Sequence, residues 1–166
     1  MYKYIFIIII FSFSCSKSNY PKKYISDNYF IHKNMEIIIP SFFKKDGIIQ
    51  NKWVDKYNGA TLNIIVEYSD TDLSDYLNDS LVLIKKTYSS YNIISKESLS
   101  KNKILILSST KIDDIMLNFY TLVVSFDTSK LIITLGGKKE IFKDKKYETF
   151  IKSIKVNEDI KYENNK

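Results

Sequence analysis

Ala60-Thr61-Leu62-Asn63-Ile64-Ile65-Val66-Glu67-Tyr68, continuing through Ser69 to Tyr88 as SDTDLSDYLNDSLVLIKKTY, is the stretch that decides the fold. Its first part alternates. Leu62, Ile64, Val66 and Tyr68 fall on one side of an extended chain and Asn63, Ile65 and Glu67 on the other, the period of a strand with a buried face. The period then changes: Tyr76, Leu77, Leu81, Ile84 and Tyr88 recur at three- and four-residue steps, the apolar stripe of a helix. Ser69 or Asp70 is placed to cap that helix. Asp72 and Asp75 fall in its first turn, where the helix dipole favours anions, and Lys85 and Lys86 in its last. Such a stripe needs an apolar surface to rest on, so the strand before it predicts a sheet beneath it.

Upstream, Tyr29 to Lys33 reads as a strand, Asn34 as a turn, and Met35 to Ile39 as a second strand closed by Pro40. Ser41 to Lys45 reads as a short helical turn and Asp46-Gly47 as a turn. Ile48 to Tyr57 is predicted to pair with Ala60 to Tyr68 around Asn58-Gly59, the strongest hairpin dipeptide in the chain. Downstream come strands near 91–97, 103–110, 114–126 and, after a turn at Asp127-Thr128-Ser129, 130–136, with Gly136-Gly137 ending the last. A second helix, Glu140 to Ser153, carries Tyr147, Phe150, Ile151 and Ile154 on one side. Many strands with only two good helices predict the α+β class, an antiparallel sheet of about six to seven strands with helices packed on it.

The two ends of the chain read differently from this body. Lys3, the apolar run Tyr4 to Phe11 and Ser12-Phe13-Ser14 lead directly to Cys15, the only cysteine. At about 1.5 Å per residue a helix over Tyr4 to Phe13 covers only half of a ~30 Å hydrocarbon core, too short for a permanent span. The layout is that of an export signal, and Ser12 to Cys15 resembles the lipobox of secreted bacterial lipoproteins. That resemblance implies a diacylglycerol on the Cys15 sulfur and an acylated α-amine, a stable membrane anchor. The other readings make Cys15 a small hydrophobe at the end of a plain cleaved signal or of a buried N-terminal strand. An exported chain with one cysteine closes no internal disulfide, so a thiol retained at this spot needs another use. The expected organisation is a signal at 1–14, a lipidated tether at 15–28, one domain at 29–156, and a charged tail at 157–166.

Without residues 1–14 the 166-residue chain keeps 152, the length of one domain, which buries roughly 68–70% of its unfolded surface. Loss of Lys3 takes the net charge from +6 to +5. Every basic residue is lysine. Arginine is the preferred fork for phosphate and guanine, so its absence argues against a nucleic-acid partner despite the basic balance. Abundant Ile, Lys, Asn, Tyr and Phe have a plain source in A/T-rich codons. Lys17, Lys22 and Lys23 lie near the tether, where each contributes about 1 kcal/mol beside anionic headgroups.

The order of strand, Met35-Glu36-Ile37-Ile38-Ile39-Pro40, hairpin, amphipathic helix, strand meander and a last helix ending Phe150-Ile151-Lys152-Ser153-Ile154 resembles the PsbP-like domains, over roughly 29–156. These are α/β/α sandwiches found in the extrinsic PsbP subunit of photosystem II, in a Ran-binding nuclear import factor and in many bacterial lipoproteins. The resemblance implies a binding or assembly module, usually without catalysis; no cofactor is expected for this chain.

Little in the sequence carries chemistry. His32 is the only histidine and sits on a predicted strand, where a solvated or hydrogen-bonded role fits; no Cys/His metal site can be assembled from this inventory. Ser41-x-x-Lys44 matches the nucleophile motif of penicillin-binding enzymes and Ser26-Asp27-Asn28 a second one. Their order is reversed, no Lys-Thr-Gly follows, and the same spacing recurs at Ser98/Lys101, Ser100/Lys103 and Ser108/Lys111. An EF-hand loop beginning at Asp70 would need Gly at its sixth place and Glu at its twelfth and finds Asp75 and Leu81, so Asp70, Asp72, Asp75 and Asp79 read as capping. Asp113-Asp114 reads as a turn, and Gly136-Gly137-Lys138 lacks phosphate-loop spacing. Phe42, Phe43, Trp53 and Tyr57, between Pro40 and Gly59, are candidate partner-binding anchors, or else they cap the edge of the core. These readings point to an envelope lipoprotein, lipid-anchored on the periplasm-facing membrane, that binds an unknown envelope protein or supports assembly. The alternatives are a carrier of a hydrophobic small ligand between sheet and helices and, last, a hydrolase using Ser and Lys or paired carboxylates.

Overall fold

The computed structural model describes residues 29–32 and 35–155. The predicted signal, the tether with Cys15, and the tail at 157–166 lie outside the described residues. Nine strands appear among the described residues: β1 Tyr29–His32, β2 Met35–Ile38, β3 Lys44–Lys45, β4 Lys52–Asp55, β5 Ala60–Tyr68, β6 Asn92–Ser100, β7 Lys103–Ile112, β8 Ile115–Phe126 and β9 Ser129–Lys138. The helices are α1 Leu73–Thr87 and α2 Lys145–Ser153, the latter preceded by a 3-10 turn Lys139–Lys143. β1 and β2 form their own antiparallel hairpin. The other seven make one antiparallel sheet in the order β3-β4-β5-β9-β8-β7-β6. The fold is α+β, as the change of period at Tyr68 predicts.

β9 shows how the layers form. Leu131, Ile133 and Leu135 point to one face, where they meet Leu62, Ile64, Leu122, Val124 and the buried Tyr147, Phe150 and Ile151 of α2, together with Met35 and Ile37 of the hairpin. Ile132, between them, points to the other face and joins Val123 and Ile106 under Leu73, Tyr76 and Leu77 of α1. The sheet is therefore buried from both sides: α1 covers one face, and α2 with the β1–β2 hairpin covers the other. Each large side chain so buried contributes about 1.5–3 kcal/mol.

Several sequence expectations shift. The strand expected over Ile48 to Tyr57 shrinks to β4, because Asp46 accepts the amides of Ile48 and Ile49 at 2.9 and 3.0 Å and holds the chain in a loop. Ser41 to Lys45 is a turn followed by the two-residue β3. The α1 cap is Asp72, not Ser69 or Asp70; its carboxylate accepts Ser74 N–H at 2.7 Å. The single helix expected from Glu140 splits at Asp144, which caps α2 through Lys146 N–H at 3.0 Å. Gly136-Gly137 does not end a strand but lies inside β9, because both glycines pair with β8, Gly136 with Phe119 and Gly137 with Asn118; the Phe119 ring lies across Gly136, where a Cβ would stand 2.6 Å from it.

Candidate functional site

The densest polar arrangement lies where the β4–β5 turn meets α2. Asp55 is fully buried at the end of β4. Its Oδ1 accepts the backbone amides of Tyr57 and Asn58 at 3.0 and 3.2 Å, and its Oδ2 accepts Asn58 Nδ2 at 3.0 Å and the Tyr147 hydroxyl at 2.8 Å. Lys146 Nζ stands 3.5 Å from the same oxygen, over the rings of Phe42 and Tyr147. Sequence dictates this locally: Asp-x-x-Asn-Gly lets the Asp side chain close an Asx turn while Gly59 takes φ +73. The hairpin loop is accordingly four residues, 56–59, between the Asp55–Ala60 pair. Burial alone would raise this carboxyl, but the hydrogen bonds from Asn58, Tyr147 and the turn amides outweigh it and hold Asp55 down at about 2. Burial and the Asp55 carboxylate push the Tyr147 phenol up to about 12. An Asp, a Tyr and a Lys in a row suggest proton transfer. Here both oxygens of Asp55 already carry partners and Tyr147 has no exposed surface, so the group works as a lock joining β4 to α2.

A second buried charge pins α1. Lys130 on β9 is 1% exposed, opposite Glu67 on β5, and its ammonium donates to the Ser69 carbonyl at 3.0 Å beneath the Tyr76 ring. Tyr76 donates to Glu67 at 2.5 Å, which ties α1 to the sheet at the same place. Burial lowers the Lys130 ammonium, and Asp72, Asp70 and Glu67 oppose it. A third lysine, Lys103, donates to the carbonyl of Ile154 at the end of α2. Sequence reasoning missed all three. Lys130 carried a usable signal, a lone lysine entering an apolar strand; its facing acid, Glu67, lies on β5, which only the sheet order brings beside β9.

The expected anchors separate. Phe43, just before β3, and Trp53, on β4, are core residues with 0% and 1% exposure, packed on the α2 side of the sheet. Phe42 is half-buried among Phe43, Tyr147 and Lys146, and Tyr57, at the tip of the β4–β5 turn, is 94% exposed. The four do not make one surface. His32 stacks edge-on against Phe126 at 5.4 Å. Among the described residues no group of three or more His, Cys, Asp or Glu side chains is placed to hold a metal ion, and no helix is long and apolar enough to cross a membrane.

What remains exposed has a pattern. The β1–β2 hairpin turns Phe30, Met35 and Ile37 inward, which leaves Tyr29, Ile31, Glu36 and Ile38 on its outer side; Ile38 is 74% exposed. The 3-10 turn and α2 lie on the same side of the sheet. Residues 138–155 carry seven lysines against three acids, with Lys139, Lys143, Lys145, Lys152 and Lys155 exposed. On the opposite side, residues 67–88 carry five acids against two lysines. The two outer layers are oppositely charged.

No family model matches the chain, and no curated protein does. Among solved structures, the chain is similar to the Pseudomonas aeruginosa protein PA94, a protein of unknown function, with a TM-score of 0.56 and 13% identity over 78% of this chain and 96% of that one. At that identity the likeness is one of fold.

Proposed function

We propose that this is a lipid-anchored envelope protein whose PsbP-like domain binds another envelope protein or supports assembly, without catalysis of its own. The observation that carries the reading is Cys15 directly behind Ser12-Phe13-Ser14 and an apolar run, only fourteen residues before the first strand. The fold supports a binding role in one respect: the buried ionisable groups Asp55, Tyr147, Tyr76 and Lys130 are occupied in joining layers. The space between sheet and α2 holds Trp53, Tyr147, Phe43 and Met35, which speaks against a ligand carrier there.

Mass spectrometry of the native protein tests the anchor. The expected product begins at Cys15 and carries acyl chains, and a Cys15→Ser variant leaves the membrane fraction. An intact leader or an unmodified thiol refutes it. For the partner, crosslinking from envelope extracts should compare wild type with Tyr57→Ala, since a Trp53 substitution would disturb the core instead. Failure of both to capture a specific protein counts against the binding role.

A further inference from the structure

We infer that the hairpin–α2 layer is the side that faces an anionic bilayer, with the α1 layer turned away from it. This deepens the proposed function and rests on its reading of Cys15 as the lipid anchor.

Three observations converge. The chain leaves Cys15 and enters the fold at Tyr29, so the tether joins the domain at the hairpin; fourteen residues reach at most about 50 Å. The hairpin's outer side exposes Ile31 and Ile38, with Tyr29 half-buried beside them and Glu36 among them, an apolar surface that the described residues leave uncovered. The 3-10 turn and α2 lie on the same side of the sheet and expose Lys139, Lys143 and Lys145, with Lys155 just beyond α2, against the exposed acids Glu140 and Asp144. Near an anionic surface each such lysine favours association by roughly fivefold, and Lys17, Lys22 and Lys23 in the tether act in the same direction. The α1 layer has the opposite sign, with Asp70, Asp72, Asp75 and Asp79 all exposed, and would be repelled. Apolar contact, tether position and charge thus select one side of the molecule.

Lysine labelling decides it. The full-length protein is reconstituted into vesicles of phosphatidylcholine alone and of phosphatidylcholine with phosphatidylglycerol, treated briefly with an amine-reactive reagent, and read site by site by mass spectrometry. The expected result is severalfold slower labelling of Lys139, Lys143 and Lys145 on the anionic vesicles, with Lys85 and Lys86 unchanged and the difference erased by high salt. An Ile31→Glu/Ile38→Glu variant, altered only at exposed positions, should lose the shielding while melting as wild type does. Equal labelling on both vesicles, or shielding of Lys85 and Lys86 instead, overturns the inference. The intact mass at Cys15, taken from the same sample, reports separately on the anchor. If the thiol is bare the anchor reading fails by itself, and the labelling pattern on anionic vesicles still decides which side binds.

Discussion

Ile132 and Ile133 are neighbours on β9, yet they belong to different cores. Ile133 is completely buried in the large cluster that α2, the hairpin, Trp53 and Phe43 share, whereas Ile132 lies in a small cluster under α1 made with Leu73, Tyr76, Leu77, Ile106 and Val123. The polar locks follow the same division. On the α2 side Asp55 is a carboxylate with hydrogen bonds to both oxygens. On the α1 side Lys130 is an ammonium with one carbonyl and a ring face, opposite Glu67.

Paired substitutions test that difference most strongly. Ile133→Ala should cost about 5 kcal/mol and Ile132→Ala about 2, since α1 can settle toward the smaller void; urea unfolding of both variants measures it, and equal costs would erase the contrast. Asp55→Ala leaves the Tyr147 hydroxyl and two turn amides without their acceptor, and should cost roughly 3 kcal/mol and loosen α2 before α1 in hydrogen exchange. Lys130→Met should cost about 2 kcal/mol, through the orphaned Ser69 carbonyl, and loosen the first turn of α1.

Acid separates the locks without mutation. Asp55 is depressed from 3.8 to about 2, so its contribution of about 2 kcal/mol is present above pH 4 and lost as pH falls through 2. Wild type should therefore lose stability across that window, and Asp55→Asn should show a flatter acid limb. The smallest effect belongs to Ile48→Ser, at 93% exposure in the Asp46 loop, which should change stability by no more than about 0.5 kcal/mol. A larger change would mean that this loop has a partner within the fold.

Much of the fold was legible because period is a local property. Leu62 and Ile64 are buried as their alternation predicts, and Tyr76, Leu77 and Ile84 line the buried side of α1. Tyr147, Phe150, Ile151 and Ile154 are all buried, again as their spacing predicts. Where the reading failed, a side chain acted on backbone or rings beyond its own period. Asp46 took the amides that a longer β4 would have used, and Phe119 laid its ring on Gly136, which made a strand interior resemble a strand end. The aromatic quartet shows the same limit, since nothing local in Phe42-Phe43 or Trp53 says which face of an edge strand it will occupy.

The order of strands and helices, the two apolar helix stripes, the Asn58-Gly59 turn and the arginine-free basic balance are contained in the amino-acid sequence, because each depends on residues a few positions apart or on a simple count. Tertiary structure alone decided that Asp55 meets Tyr147 across 92 positions, that Lys130 reaches back 61 positions to Ser69, and that the lysines of α2 share a side with the outer face of the hairpin. Those pairings depend on the pairing order of the sheet and on which face each helix covers. No short-range pattern encodes either one, since both are settled by burying the two sides of one sheet together.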